Sequence, residues 1–90
     1  MSLRRDKITI IFDILNAIQA KGGKIKPTHL LYKSNLSHGR MKQYVDELIS
    51  KGLLEEKENK DKKLYILTDE GYKFISDYAN VKKFMDSFGF

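Results

Sequence analysis

The chain contains no cysteine, which removes disulfides, thiolate nucleophiles and sulfur-ligated zinc together. No apolar run approaches the roughly 20 residues that a membrane-spanning helix needs, and no signal-peptide pattern opens the chain. A cytoplasmic protein that stays off the membrane is therefore expected. Histidine occurs only at His29 and His38. A helix break separates them, a poor arrangement for a metal without further ligands. Gly-rich phosphate loops and paired-carboxylate motifs are also missing, so neither an enzyme, a catalytic residue, a metal nor a cofactor is expected. Arginine is scarce, since fourteen of the seventeen cations are lysine. Lysine is a point charge that suits phosphate more than guanine, whereas the arginine fork suits both.

What is present fits one small globular domain. Ninety residues bury only about 60 to 65% of their unfolded surface, so the core is small and there is little room for a second site. Hydrophobic residues at 41% and charged residues at 32% suit a soluble protein. No repeat, linker or low-complexity segment interrupts the chain. The net charge of +5 is unevenly spread: residues 1–45 carry +7 and residues 46–90 carry −2. A positive half is the footprint of a polyanion partner, although a Lys- and Glu-rich surface that is simply solvated would look similar.

The stretch from Pro27 to Lys51 reads as two short helices split at Ser34-Asn35-Leu36. In the second, Met41, Tyr44, Val45, Leu48 and Ile49 follow the three-and-four spacing of one buried stripe. Gly39, Arg40, Lys42, Gln43 and Asp46 are left on the outer face. A helix held by its back on a basic domain points to a recognition helix for DNA. Ser37 is placed to cap it, but Arg40 stands where a capping box needs Glu or Gln, and the amides near His38 and Gly39 are free to meet a phosphate. Gly52 stops it.

Before this stretch, Arg4 to Lys21 is expected to be a helix with Asp6 in its first turn. Ile8, Ile11, Phe12, Leu15 and Ile18 trace its main apolar face, and Ile10, Ile14 and Ala17 form a second stripe for the last helix or a partner subunit to cover. Arg4, Arg5 and Lys7 could hold phosphate or simply be solvated. Lys24-Ile25-Lys26 is either a single β-bridge or the lead into the next helix, where Pro27 fits the first position. Further on, Leu53 to Glu58 and Lys63 to Leu67 read as strands around a polar turn, Asn59 to Lys62. Lys57, Lys60, Lys62 and Lys63 stand there among Glu55, Glu56, Glu58 and Asp61, so internal salt pairing competes with any role on DNA. Thr68 is expected to cap a last helix running to about Ser87, with Gly71 allowing close backbone approach. Along it Gly71, Phe74, Tyr78, Val81, Met85 and Phe88 recur as a heptad seam flanked by Ile75 and Phe84. From Val81 onward this helix should project past so small a body, leaving Phe84, Met85, Phe88 and Phe90 exposed in a monomer. Such a patch marks an interface, and a homodimer is expected.

The order of elements, with a helix-turn-helix at Thr28 to Lys51, Lys51-Gly52-Leu53-Leu54 leading into a hairpin, and Leu67-Thr68-Asp69-Glu70-Gly71 opening the final helix, resembles the winged-helix family. Arg4-Arg5-Asp6 and Tyr32-Lys33-Ser34-Asn35-Leu36-Ser37 are similar to segments of small archaeal winged-helix DNA-binding proteins. The resemblance implies an α+β fold, mainly α: a three-helix core plus a β hairpin wing in residues 1–68, and a long C-terminal helix in residues 69–90 for dimerisation. It places Ser37, His38, Arg40, Lys42 and Gln43 at the major groove and Lys60, Lys62 and Lys63 on the wing beside the backbone. It also implies an antiparallel pairing of terminal helices through Phe74, Tyr78, Val81, Phe84, Met85 and Phe88. Asp46 and Glu47 depart from a phosphate-binding pattern, and the wing is more acidic than one that inserts into a minor groove. The expected function is duplex DNA binding by a nucleoid-associated homodimer, as a transcriptional regulator or an architectural chromatin protein, without a small-molecule ligand. The alternative is a winged-helix module that binds protein through Val81 to Phe90 and never touches DNA.

Overall fold

Asp6 starts the first helix from outside. Its carboxylate accepts the Thr9 backbone N–H at 2.9 Å, and α1 runs Lys7–Ala20. Hydrogen bonds from Thr9 hold the Asp6 carboxyl below its ordinary value, because they favour the charged form. The computed structural model describes residues 6–89, so Arg4, Arg5 and Phe90 lie outside the described residues. Both apolar stripes of α1 reach the core, where one main face was expected. Ile10, Ile14, Leu15 and Ile18 are buried, Ile11 and Phe12 pack at the edge of the core, and Ile8 is exposed. Burial of Ile10 and Ile14 thus requires no second subunit. The reason is position: α1 touches the second helix, the last helix and the sheet, so it needs an apolar arc wider than one stripe.

After Gly22 and Gly23, Lys24–Ile25 forms a true strand, β1. The next helix, α2 (Pro27–Ser34), has proline at its first position and ends where Asn35 takes a left-handed φ of 57°. Leu30 is buried, and the Ser34 hydroxyl donates to the Leu31 carbonyl at 3.3 Å, which satisfies a buried polar group. Helix α3 (His38–Ser50) buries Met41, Val45 and Leu48, with Tyr44 and Ile49 at the rim of the core. Gly52, at φ 79°, turns the chain out of it, a conformation that costs a side-chain-bearing residue.

The wing is β2 (Leu54–Asn59) and β3 (Lys62–Leu67), antiparallel, with Asn59 opposite Lys62. Its turn is therefore Lys60-Asp61 alone, two residues shorter than expected, and Lys60 takes the left-handed φ of 57°. β1 pairs with β3, Ile25 opposite Tyr65, giving a three-stranded sheet in the order β1-β3-β2. Tyr65 and Leu67 are buried, whereas β2 is buried only at Leu54, so the outer hairpin stands clear of the body.

The last helix, α4 (Asp69–Ser87), is capped by Thr68, whose hydroxyl accepts the Gly71 N–H at 3.0 Å and donates to the Gly52 carbonyl at 2.6 Å. Gly71 passes so close to the Leu53 carbonyl that a Cβ would collide with it. Ile75 is buried, and the Tyr78 ring lies 4.7 Å from that of Phe12 on α1. From Ala79 onward every described residue is exposed, and the molecule measures 49 × 31 × 22 Å. α4 is thus half core element and half projection.

Candidate nucleic-acid interface

The residues at the start of α3 are brought to one surface by the cap and the buried stripe behind them. Ser37 accepts the Arg40 N–H at 3.3 Å, so the expected cap forms. Ser37, His38, Gly39, Arg40 and Gln43 are exposed, and Lys42 is half-buried. Arg40 is steered by its own helix: its guanidinium sits 5.9 Å from the Tyr44 ring centre and Nη2 donates to the Tyr44 hydroxyl at 3.4 Å. Tyr44 is anchored at the rim of the core, so it limits the directions Arg40 can take. Lys42 is occupied differently, with Nζ 2.9 Å from the Asp46 carboxylate one turn on. That carboxylate raises the Lys42 pKa by stabilising the charged form.

The C-terminal half of α3 turns to the body's own charges. Glu47 meets Lys7 of α1 at 2.9 Å. The pair holds the Glu47 carboxyl below, and the Lys7 ammonium above, their ordinary values. On the wing, Lys60 and Lys62 are exposed at the turn, while Lys63 stands 3.7 Å from Glu56 across the hairpin. Tyr65 lies where helix and wing meet; burial pushes its phenol up, with a further push from the Glu56 carboxylate.

Two contributors were not legible as site residues in the sequence. Lys26 and Thr28 line a cleft of about 420 Å³ between the start of α2 and the wing residues Asp61, Lys62 and Lys63. They arrive there because β1 pairs with β3, and a two-residue strand leaves no periodic signal. Lys26 precedes the first turn of α2 and gives it no side-chain cap. Among the described residues, no three His, Cys, Asp or Glu side chains gather as metal ligands, and no helix is long and apolar enough to cross a membrane.

The six residues of the expected dimer seam divide. Phe74 and Tyr78 are half-buried and stack with each other, ring centres 6.3 Å apart, while Tyr78 also meets Phe12. Val81, Phe84, Met85 and Phe88 lie open, Phe84 and Phe88 being 64% and 66% exposed with their rings 5.0 Å apart. A groove of about 300 Å³ between α1 and α4, lined in part by Phe12, Tyr78, Val81 and Met85, continues this apolar surface.

One family model, the winged helix-turn-helix, matches residues 4–86. The chain belongs to the winged helix-turn-helix family. Among solved structures, this winged-helix protein is similar to Sso10a-2, a DNA-binding protein from Sulfolobus solfataricus. The TM-score is 0.80 at 25% identity, over 93% of this chain and 85% of that one. It is also similar in fold to F93 from STIV, a winged-helix DNA-binding protein, with a TM-score of 0.76 at 23% identity over 89% of this chain and 92% of that one. An uncharacterized protein of Methanocaldococcus jannaschii is 33% identical over 70 residues, which are 78% of this chain. The match spans only 30% of that relative's length.

Proposed function

We propose that this winged-helix protein binds duplex DNA as a homodimer, acting as a transcriptional regulator or an architectural chromatin protein. The observation that carries the reading is α3, held by Met41, Val45 and Leu48 while the polar side chains of its first half stay outside. In this reading Arg40 contacts guanine or phosphate and Gln43 pairs with adenine N6 and N7. Ser37 and His38 approach the backbone at the helix start, and Lys60 and Lys62 follow it from the wing. The likeness to Sso10a-2 supports this reading, since that protein is described as DNA-binding.

Val81, Phe84, Met85 and Phe88 supply the pairing surface, because an apolar patch on a projecting helix has no cover in a single chain. A two-fold dimer then sets two α3 helices on half-sites about 34 Å apart or a multiple of it. One strong and one weak cation per helix give little affinity alone, and pairing supplies the rest.

Fluorescence anisotropy with duplex DNA at several salt concentrations tests the reading. Binding should weaken steeply with salt, and Arg40→Glu should weaken it at least tenfold. Binding that ignores both salt and the substitution would refute it. The ratio of affinity for a selected over a random duplex then separates the two roles: near one for an architectural protein, several orders of magnitude for an operator-binding regulator. Truncation after Asn80 should leave a monomer by sedimentation, and an unchanged dimer would remove the α4 assignment. The same exposed α4 end also favours a second reading, a module that docks on another protein. That reading predicts a monomer and no gel shift at physiological salt.

A further inference from the structure

Two of the cations on the proposed DNA surface are already engaged within the chain. Lys42 Nζ lies 2.9 Å from Asp46, and Lys63 Nζ lies 3.7 Å from Glu56. One pair is on α3 and the other spans the wing, yet they belong to one neighbourhood. Glu56 stands opposite Tyr65 in the β2–β3 register, and the Tyr65 phenol feels the charges of Glu56, Lys42 and Asp46 together. Together these two pairs place two positive and two negative groups on the recognition helix and the wing, and their charges sum to zero.

We propose that Asp46 and Glu56 are specificity-determining residues that hold Lys42 and Lys63 away from phosphate and so suppress sequence-independent binding. The proposal rests on the DNA reading above and deepens it. Backbone affinity comes from replacing condensed counterions by protein cations, with a salt slope of about 0.9 per phosphate neutralised. A lysine that must leave a carboxylate to reach a phosphate uncovers a negative charge, and that charge draws back about as much counterion as was released. The net gain is small. Arg40 is held on the Tyr44 ring and not on a carboxylate, and Gln43 is uncharged, so base-edge contacts escape this restraint. Nonspecific affinity falls while direct readout is kept, and the ratio between them rises. Structural support is a weak alternative role for these pairs. All four side chains are at least 31% exposed, and exposed pairs add little to stability.

The test uses the full chain and a random-sequence duplex, with anisotropy read across a salt series. Asp46→Asn and Glu56→Gln should each tighten binding about three- to tenfold, and the double variant should steepen the salt slope by about two. Lys42→Ala should cost little in the wild-type background but cancel the gain in the Asp46→Asn background. Asp77→Asn is the control. It makes the same charge change at an exposed pair on α4, where Lys73 lies 3.5 Å away, and should alter binding less than twofold. The proposal is overturned if the double variant binds with the wild-type slope, if Lys42→Ala alone flattens that slope by about one, or if Asp77→Asn acts as strongly as Asp46→Asn. Absence of duplex binding by both wild type and double variant at every salt concentration would instead overturn the DNA reading, and this inference with it.

Discussion

Replacing Gly71 by alanine should destabilise the protein, although alanine is the better helix former. In an open helix the change would gain up to about 1 kcal/mol. At Gly71 the new Cβ lands on the Leu53 carbonyl and reaches 3.0 Å from Leu67 Cδ2. Neither the carbonyl nor its segment is free to yield. Leu53 O accepts the Thr68 N–H at 3.3 Å, Leu53 N donates to Leu48 O at 2.9 Å, and the Thr68 hydroxyl grips Gly52 O at 2.6 Å. The first turn of α4 has to lift instead. Overpacking of this kind costs roughly 1 to 3 kcal/mol, and a strained or lost Thr68–Leu53 hydrogen bond adds about 1 kcal/mol. The net loss after the propensity gain is about 1 to 3 kcal/mol. For a domain of this size that lowers Tm by roughly 5 to 20 °C. Gly39→Ala is the internal comparison, because nothing lies within 4 Å of its Cβ position and its helix turn is exposed. That substitution should leave Tm unchanged or raise it by a few degrees. Thermal unfolding followed by circular dichroism, at one protein concentration throughout because dimerisation would shift Tm, reads both. A Gly71→Ala protein as stable as wild type, or two variants that shift in the same direction, would refute the close-approach argument.

Thr68 and the Lys7–Glu47 pair give two other expected outcomes. Thr68→Val removes a cap acceptor and a donor at once, taking those partners from the Gly71 N–H and the Gly52 carbonyl, and should cost about 1 to 2 kcal/mol in urea unfolding with an unchanged m-value; a change below about 0.3 kcal/mol would mean that the cap is redundant. The Lys7–Glu47 pair should contribute only between the two titrations. The Glu47 pKa is lowered from 4.5, so its contribution is complete above that value and is lost as pH falls through the lower native one. The Lys7 pKa is raised from 10.5, so its share persists up to that value and is lost as pH rises through the higher one. Glu47→Gln should therefore melt below wild type at pH 7 and coincide with it in strong acid. A Tm gap that is the same at both pH values would assign the effect to something other than the ion pair.

Much of this protein was legible in its residues because the signals were local. The buried stripe of α3, proline at the first position of α2, the Ser37 and Thr68 caps and the tight passage at Gly71 each follow from spacing or from one residue's geometry, and an (i, i+4) pair such as Lys42–Asp46 can be read in the same way. The width of the arc that α1 buries could not, because it depends on neighbours from three sides. β1 was legible only as one of two alternatives, because its strand character comes from pairing with β3, and the shortened turn at Lys60-Asp61 was not, because the hairpin register selects it. Tyr78 shows the limit most plainly. In sequence it continues the seam toward Val81 and Met85, but in three dimensions its ring turns to Phe12, and the open patch begins only one turn later.

Local residue patterns suffice for a basic domain with a helix-turn-helix, a hairpin and a long last helix, because period, caps and turn residues act over a few positions. Which of the charges are paired depends on the packed fold. Lys63 meets Glu56 through strand register, Lys7 meets Glu47 through helix packing, and Lys26 reaches the wing cleft through β1. Charge totals are additive along a chain. Pairing depends on distance, and only the fold sets distances between residues far apart in sequence.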